Sequence, residues 1–487
     1  MRAINEITED DEWHTKVSDD NTTRAWCEEI LKTREGITPK MMNWIVKELQ
    51  WKAKNFKQTG STFALDPGVF KSDTAIPSEL KQTLKHSSNS LVQAGHTKDF
   101  QPGTSEMIVN PVDPSLCPVV FGRTHILADQ TIGVHDCLCK GEGVPLPIPP
   151  EDQANSNLED EAWISQALEK AKPYSRRFQW LPCNVSLDDT GGVRITSYIN
   201  NLPPWDNQQL YEDIEGIIAQ AIPLWDLTLT YVQKSWSRIH YERAEFLEGD
   251  YDVVSSLDDP CTVILPEPGD FEPPNVTEEM VNIHKQFSEK GLQVIVKMTS
   301  VELTPEKPEY DGSSWCLEGQ LNEHICATAV YYYDSENVSE SNIAFRQRAR
   351  TCDIQTTVYP QYHAEWVEPI YGFSEPRERT LVTQELGSIS THEGRLITFP
   401  NTLRYLVSPF SLIDKSKHGH RKALVLYLVD PHIQIISSAN VPPQRGSWWT
   451  ERDRVVDIAL AKLPRELRDM VDKYADTTIG EEEAKPL

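Results

Sequence analysis

Four runs of β-branched and aromatic residues in the C-terminal half constrain the fold more than any other feature of the sequence. The runs are LQVIVKMTSVEL (292–303), HICATAVYYYDSEN (324–337), RLITFPN (395–401) and KALVLYLVD (422–430), and clusters of turn-forming residues separate them. Such residues favour extended strands because their side chains pack well on a pleated, half-buried surface. Their spacing predicts a jelly roll or β-barrel in this half of the chain.

Helical patterns dominate the N-terminal half instead. AWCEEILKTRE (25–35) and MMNWIVKELQWKAKNF (41–56) space their apolar residues three and four positions apart, and LYEDIEGIIAQAIPLWDLTLTYVQ (210–233) continues that pattern over a longer stretch. Two β-rich runs flank Asp-Thr-Gly-Gly (189–192), which predicts a hairpin. Further helices are expected at 158–171 and 453–475.

These patterns predict an α+β fold, with a jelly-roll core wrapped by helices from both termini. A helix- and turn-rich region over residues 1–160 is expected to pack on the core. The core itself, with a helical insertion, is assigned to residues 161–450. C-terminal helices and the acidic tail GEEEAKPL complete the chain over residues 451–487.

The charge balance narrows the partners that we expect. The chain has 47 Lys and Arg against 74 Asp and Glu, a formal net charge of −27. Because nucleic-acid affinity depends on neutralising phosphates with cations, a nucleic-acid partner is excluded, and an anionic membrane surface is disfavoured for the same reason. No run approaches the roughly 18–20 apolar residues of a membrane-spanning helix. A small-molecule substrate is the expected partner, and the oligomeric state is left open.

The cysteines and the N-terminal sequence indicate where the protein works. The nine cysteines are scattered and odd in number, so at least one has no partner within the chain. The start, MRAINEITEDDEWH, is acidic and lacks the apolar stretch of a secretory signal. We therefore expect a reducing location, the cytoplasm with the nucleus as the alternative, and no secretion.

Two segments carry the candidate site. In Trp-Cys-Leu-Glu-Gly (315–319), Cys316 and Glu318 would project together, because residues two apart in a strand share one face. The second segment, residues 394–432, places Tyr405 near a strand end and Arg421 at the start of the next strand.

These segments, together with FQWLPCNV, SYINNL, LQVIVKMTSVELTPEKPEY and LVDPHIQIISSANVPPQ, resemble a mainly fungal family called domain of unknown function 4246. The resemblance runs from roughly residue 40 to 460. That family is similar to the iron(II)- and 2-oxoglutarate-dependent oxygenases, which implies an oxygenase-like double-stranded β-helix within residues 161–450. Such enzymes hold iron with two His and one carboxylate, and an Arg beyond the second His binds the 2-oxoglutarate carboxylate.

The sequence departs from the family pattern at both imidazole positions. Cys316 stands where the family pattern Trp-His-x-Glu-Gly has its first His, and Glu318 keeps the carboxylate. Tyr405 falls on the distal His, and Arg421 falls on the 2-oxoglutarate Arg. The resemblance therefore implies Cys316, Glu318 and Tyr405 as metal positions, Cys316 and Tyr405 as catalytic candidates, and Arg421 as the cofactor-binding residue.

Several interpretations of this departure are open. A rebuilt site would still catalyse a reaction of a small organic substrate, such as an amino acid or a secondary-metabolite intermediate, with or without a metal. If the iron chemistry survives, the site would use iron(II) and 2-oxoglutarate. A shifted alignment would make other residues ligands, such as His324 or His420. A dead site would leave a non-catalytic ligand-binding or interaction scaffold. A thiol-dependent enzyme would instead use Cys316 without iron.

Overall fold

A computed structural model of the chain describes residues 2–448 except 11, 35, 94–99, 102–103, 105, 129, 139–142, 151–173, 189, 234–243, 247–262, 275–279, 349–365, 373–382 and 447. The helices expected at 158–171 and 453–475 lie outside the described residues.

The described helices lie mostly in the N-terminal half. They are α1 (Arg2–Ile7), α2 (Trp13–Lys16), α3 (Asp20–Thr33), α4 (Pro39–Thr59), α5 (Ser78–Gln93), α6 (Gln208–Val232), α7 (Ile283–Phe287) and α8 (Val367–Tyr371), and a 3₁₀ turn spans Leu321–Glu323. Local signals bound α4: the Thr38 hydroxyl accepts a hydrogen bond from the amide of Met41, and Gly60 ends the helix at a φ of 66°. These are the usual cap residues for orphan amide and carbonyl groups at helix ends.

The strands begin early in the chain and concentrate after residue 290. They are β1 (Thr62–Leu65), β2 (Val69–Ser72), β3 (Ile108–Val112), β4 (Val119–Val120), β5 (His125–Ile126), β6 (Val144–Pro145), β7 (Phe178–Gln179), β8 (Cys183–Leu187), β9 (Val193–Ile195), β10 (Glu245–Phe246), β11 (Val263–Ile264), β12 (Leu292–Leu303), β13 (Glu309–Tyr310), β14 (Ile325–Glu336), β15 (Asn342–Arg348), β16 (Thr383–Ser390), β17 (Leu396–Pro400), β18 (Arg404–Val407), β19 (Phe410–Ser411) and β20 (Gly419–Val429).

A large antiparallel sheet forms the centre of the molecule. Its strand order is β1-β2-β17-β14-β20-β12-β8-β9, and β3 also pairs with β12. β20 lies between β12 and β14, so that Leu426 is opposite Val296 on one side and Ala329 on the other. The long apolar strands therefore occupy the middle of the sheet, where both faces are covered.

A smaller antiparallel sheet, β16-β15-β18, accompanies the large one. Residues 309–316 run antiparallel to residues 405–411: β13 pairs with β19, and Cys316 forms a bridge with Tyr405. From β12 onward the chain alternates between the large sheet and this smaller set of strands.

The two faces of the large sheet have different partners. On one face, α6 packs against β14 and β17, and its apolar residues, such as Ile217 and Trp225, belong to the same hydrophobic cluster as residues of the sheet. On the other face, residues such as Ile295 and Val425 cluster with Phe345 of the smaller sheet. We call the space between the two sheets the barrel interior. Every second residue of β12 and β20 projects into it, and the apolar ones among them form a core with the smaller sheet.

The structure confirms the strands expected from the four apolar runs, which became β12, β14, β17 and β20, and the hairpin, which is β8–β9. The chain is thus a mixture of helices and antiparallel sheets. Sequence patterns missed α5, in a region expected to be rich in turns, and they missed the strands β15 and β16. None of the described helices is both long and apolar enough to cross a membrane.

Candidate functional site

Strand pairing brings the two predicted site segments together. The amide of Cys316 donates to the carbonyl of Tyr405, and the amide of Tyr405 donates back to the carbonyl of Cys316, both at 3.0 Å. This places the two side chains on one face of the smaller strand set, because directly paired residues project to the same side. The thiol of Cys316 also lies 3.5 Å from the carbonyl oxygen of Tyr405.

Glu318 completes this arrangement from two residues beyond Cys316. The hydroxyl of Tyr405 donates a hydrogen bond to Oε1 of Glu318. The side-chain amide of Asn401 donates to the Glu318 carbonyl at 3.0 Å, which holds the loop in place. Tyr427 of β20 lies beside the same carboxylate from the opposite sheet. We call Cys316, Glu318, Tyr405 and Tyr427 the Glu318 cluster.

The environment keeps the cluster's weak acids protonated. Burial, and then the negative charge of Glu318, raise the pKa of the Cys316 thiol to about 11. The same two causes raise the pKa of the Tyr405 and Tyr427 phenols well above 10. At neutral pH the cluster therefore presents a thiol and two phenols around a carboxyl group.

The donor chemistry of this cluster does not fit the iron(II) centre that the resemblance implies. Iron(II) in such a centre takes two neutral imidazoles and one carboxylate with open positions. Here the carboxylate of Glu318 already accepts a hydrogen bond from Tyr405, and a thiol with a pKa of about 11 would have to lose its proton to become a ligand. In the part of the chain that the structure describes, no three His, Cys, Asp or Glu residues are grouped so as to hold a metal ion.

Arg421 projects into the barrel interior but lies away from the Glu318 cluster. It is six residues from Tyr427 on β20, which corresponds to about 20 Å along a strand. Its guanidinium donates to the Thr391 hydroxyl at 3.1 Å and to the Ser339 carbonyl at 2.9 Å, and it lies over the ring of Phe410. Its role in binding a cofactor remains a prediction.

The two alternative ligands lie elsewhere. His324 ends the 3₁₀ turn with a φ of 49° and its side chain is exposed. His420 is adjacent to Arg421 and so faces the other side of β20, where its Nε2 lies 2.9 Å from a carboxylate oxygen of Asp334. Neither imidazole is brought to the Glu318 cluster.

Sequence reasoning missed two aromatic residues at this end of the barrel. Tyr427 shares the face of Arg421, and this follows from the alternation along β20. Trp180 precedes β8 in the chain, and its ring centroid lies 5.7 Å from that of Tyr427. Its backbone amide donates a hydrogen bond to the buried carboxylate of Glu323 at 2.9 Å. No sequence pattern predicts this contact, which fixes the position of Trp180.

Comparison with protein families gives one match. A family model described as "Protein of unknown function (DUF4246)" matches residues 39–452. No match was found among curated proteins.

Three solved structures that match are distant in sequence and in fold. The Fe(II)/(alpha)ketoglutarate-dependent dioxygenase TqaL is 12% identical with a TM-score of 0.18, and the match covers 33% of this chain and 53% of TqaL. IDO from Bacillus thuringiensis is 9% identical with a TM-score of 0.24, covering 61% of this chain and 92% of that protein. A bsmA homolog from Methylobium petroleophilum is 11% identical with a TM-score of 0.18, covering 39% and 63%. With TM-scores this low, the three structures give no information about the mechanism of this chain.

Proposed function

The chain belongs to the DUF4246 family, and from that premise we propose that it is a double-stranded β-helix protein that binds a small organic molecule between its two sheets without an iron(II) centre. Different observations support the fold of the core and the loss of iron chemistry, and the chemistry of the bound molecule is inferred from a further set of residues below.

The path of the chain supports the double-stranded β-helix. The central strands of the large sheet, in the order β12-β20-β14-β17, alternate along the sequence with strands of the smaller set. Residues 309–316, β15, β16 and the β18–β19 segment form that smaller set. Eight strand segments divided between two facing antiparallel sheets are the arrangement of a jelly roll.

One observation carries the loss of iron: the hydroxyl of Tyr405 donates a hydrogen bond to the carboxylate of Glu318, the group that would have to bind the metal. Tyr405 stands at the position of the distal imidazole and donates to the carboxylate. Cys316, at the position of the first imidazole, keeps its proton at neutral pH because burial and Glu318 raise its pKa. A thiol and a phenol thus replace the two neutral imidazoles that such an iron(II) centre takes, and each would have to lose its proton to bind the metal.

A second function is favoured by one fact, that the three positions implied by the resemblance do lie together. An oxygenase with an altered site would bind iron through Cys316, Glu318 and Tyr405 and hold 2-oxoglutarate at Arg421.

A thiol-dependent enzyme is disfavoured. It would need a Cys316 thiol with a lowered pKa, whereas the environment of Cys316 raises that pKa.

Metal analysis after anaerobic loading with iron(II) separates these functions. We expect the natural chain to retain far less than one equivalent of iron after desalting. The double variant Cys316→His/Tyr405→His supplies both missing imidazoles beside Glu318, and we expect it to retain close to one equivalent. Adding Glu318→Gln to the double variant removes the carboxylate and should abolish that binding.

One result would overturn the proposal. If the natural chain binds close to one equivalent of iron and Glu318→Gln loses it, the altered oxygenase site is correct. Turnover of 2-oxoglutarate would then be the next measurement.

A further inference from the structure

Lys297 is a cation that projects into the barrel interior. It lies on β12 between Ile295 and Thr299, and it pairs with Val425 of β20. Ile295 and Val425 both belong to the apolar cluster between the two sheets. Because alternate residues share a face, Lys297 faces the same space.

Burial along β12 indicates that this space is open to solvent. The outward residues Val296, Met298 and Ser300 are buried under the layer that covers the sheet. The inward residues Lys297 and Thr299 are partly exposed. An inward face more exposed than the outward one means that solvent reaches between the sheets at this point.

Lys297 has no anionic partner among the described residues, in contrast to other inward or buried cations. Arg421, also inward, is held by Thr391 and Ser339. Arg395 is paired with carboxylates. An ammonium group that faces a partly desolvated space gains from an anion there, because charged groups away from bulk water interact strongly.

Lys297 also lies near enough to the Glu318 cluster for its positive charge to affect the Cys316 thiol. Burial and Glu318 raise the pKa of Cys316, whereas the positive charge of Lys297 lowers it. The surrounding wall is aromatic: the rings of Trp180 and Tyr427 are in contact, as are those of Phe399 and Tyr405.

One polar group in this wall has no partner. The hydroxyl of Thr328 is buried and makes no hydrogen bond in the described structure. Thr328 lies directly opposite both Tyr427 and Phe399 in the large sheet, so it belongs to the same end of the barrel. A ligand with a polar atom beside its apolar body would satisfy it.

We propose that Lys297 binds the carboxylate of a small aromatic or apolar acid that occupies the barrel interior against Trp180 and Tyr427. The inference rests on the proposed function, since it names the class of molecule that the barrel binds. Lys297 supplies the charge, and the aromatic wall supplies the apolar contact.

Calorimetric titration with benzoate, and with benzamide as its uncharged counterpart, tests this assignment. We expect the natural chain to bind benzoate at least tenfold more tightly than benzamide. Lys297→Met should weaken benzoate binding at least tenfold and leave benzamide unchanged. Lys297→Arg should restore most of the benzoate affinity because it keeps the charge.

Two controls separate a binding role from a structural one. Lys54→Met removes an exposed lysine of α4 and should leave both affinities unchanged. The unfolding midpoint of Lys297→Met should equal that of the natural chain, because no ion pair within the described residues is lost.

Failure of this inference is distinguishable from failure of the proposed function. If benzoate does not bind, or binds equally to Lys297→Met, the role of Lys297 is wrong while the iron-loading result still stands. If iron is retained at one equivalent through Glu318, the proposed function fails whatever benzoate does.

Discussion

At the scale of single residues, the acid–base state of Cys316 depends on its burial and on the charge of Glu318, two positions along the chain. The thiol is partly accessible, and burial together with Glu318 raises its pKa to about 11. Since the thiolate is the nucleophile, its reactivity follows the fraction that is deprotonated. Cys316 is therefore accessible yet unreactive at neutral pH.

Alkylation by iodoacetamide, followed on the Cys316 peptide by mass spectrometry, tests this state. We expect slow modification at pH 8 and a steep rise above pH 10. Glu318→Gln removes the negative charge that raises the thiol pKa and should therefore speed modification at pH 9. Glu289→Gln, an exposed carboxylate elsewhere, should have no effect. Rapid alkylation of the natural chain at pH 8 would contradict the raised pKa.

The residues of the cluster were predictable only in part. The i, i+2 spacing of Cys316 and Glu318 predicts one shared face of a strand. In the structure Cys316 forms only an isolated bridge with Tyr405 and no described strand runs through Glu318, whose carboxylate is brought to the cluster by its hydrogen bond from Tyr405. Tyr427 had the same signal, since it shares the face of Arg421, but its partner Glu318 comes from a different sheet. That contact depends on how the sheets face each other, which no local pattern encodes.

At the scale of elements, a strand could be predicted from the sequence only where its own residues form a recognisable apolar pattern. β12 and β20 contain unbroken buried stretches, at 292–296 and 423–429, because both faces of the sheet are covered there. β15 (NIAFRQR) and β16 (TQELGSIS) mix charged and polar residues, because their outer face is more exposed. Their strand character comes from pairing with each other and with β18, so single-segment reasoning missed them.

A buried arginine joins the N-terminal helices to the large sheet. Arg395, which directly precedes β17, is 2% exposed, and it contacts Glu9 at 2.5 Å and Asp73 at 2.7 Å. Removing it takes from Asp73 its strongest partner and leaves Glu9 paired with Lys71. We expect Arg395→Met to lower the free energy of unfolding by about 2–4 kcal/mol, measured in urea. Lys16→Met breaks an exposed ion pair and should cost less than about 1 kcal/mol. Equal losses would show that burial of the pair is irrelevant.

Asp226 couples α6 to the start of α7 and makes that contact dependent on pH. Its Oδ1 accepts the amide of Ile283 at 2.8 Å, and burial raises its pKa from 3.8 to about 7. The folded state therefore binds a proton more tightly than the unfolded state. The stability from this group is complete below about pH 4 and is lost as the pH rises to about 7.

Asp226→Asn keeps the acceptor oxygen and removes the titration. We expect the variant to be more stable than the natural chain at pH 8 by about 1–3 kcal/mol, a value reduced for the partial exposure of Asp226. At pH 4 the two should have similar urea midpoints. A variant that is less stable at pH 8 would mean that the charged form is favoured in the folded state.

At the scale of the whole molecule, the N-terminal region is part of the sheet that carries the site. β1 and β2 extend the large sheet beyond β17, and β3 pairs with β12. The helices α4 and α6 contact these same strands. Separate domains share few contacts, so one can unfold without the other. Here the N-terminal region could unfold alone only if hydrogen-bonded strands of the large sheet came apart.

We therefore expect the full chain to unfold in one cooperative transition. Urea curves from far-UV circular dichroism, which reports helices, and from tryptophan fluorescence should coincide in midpoint and slope. The tryptophans suit this test because Trp13 lies in the N-terminal helices and Trp225 lies against the large sheet. Two separated transitions would instead mean that the N-terminal helices melt while β12, β14 and β20 stay paired. In that case the strands β1–β3 would be an attachment to the core and not a part of it.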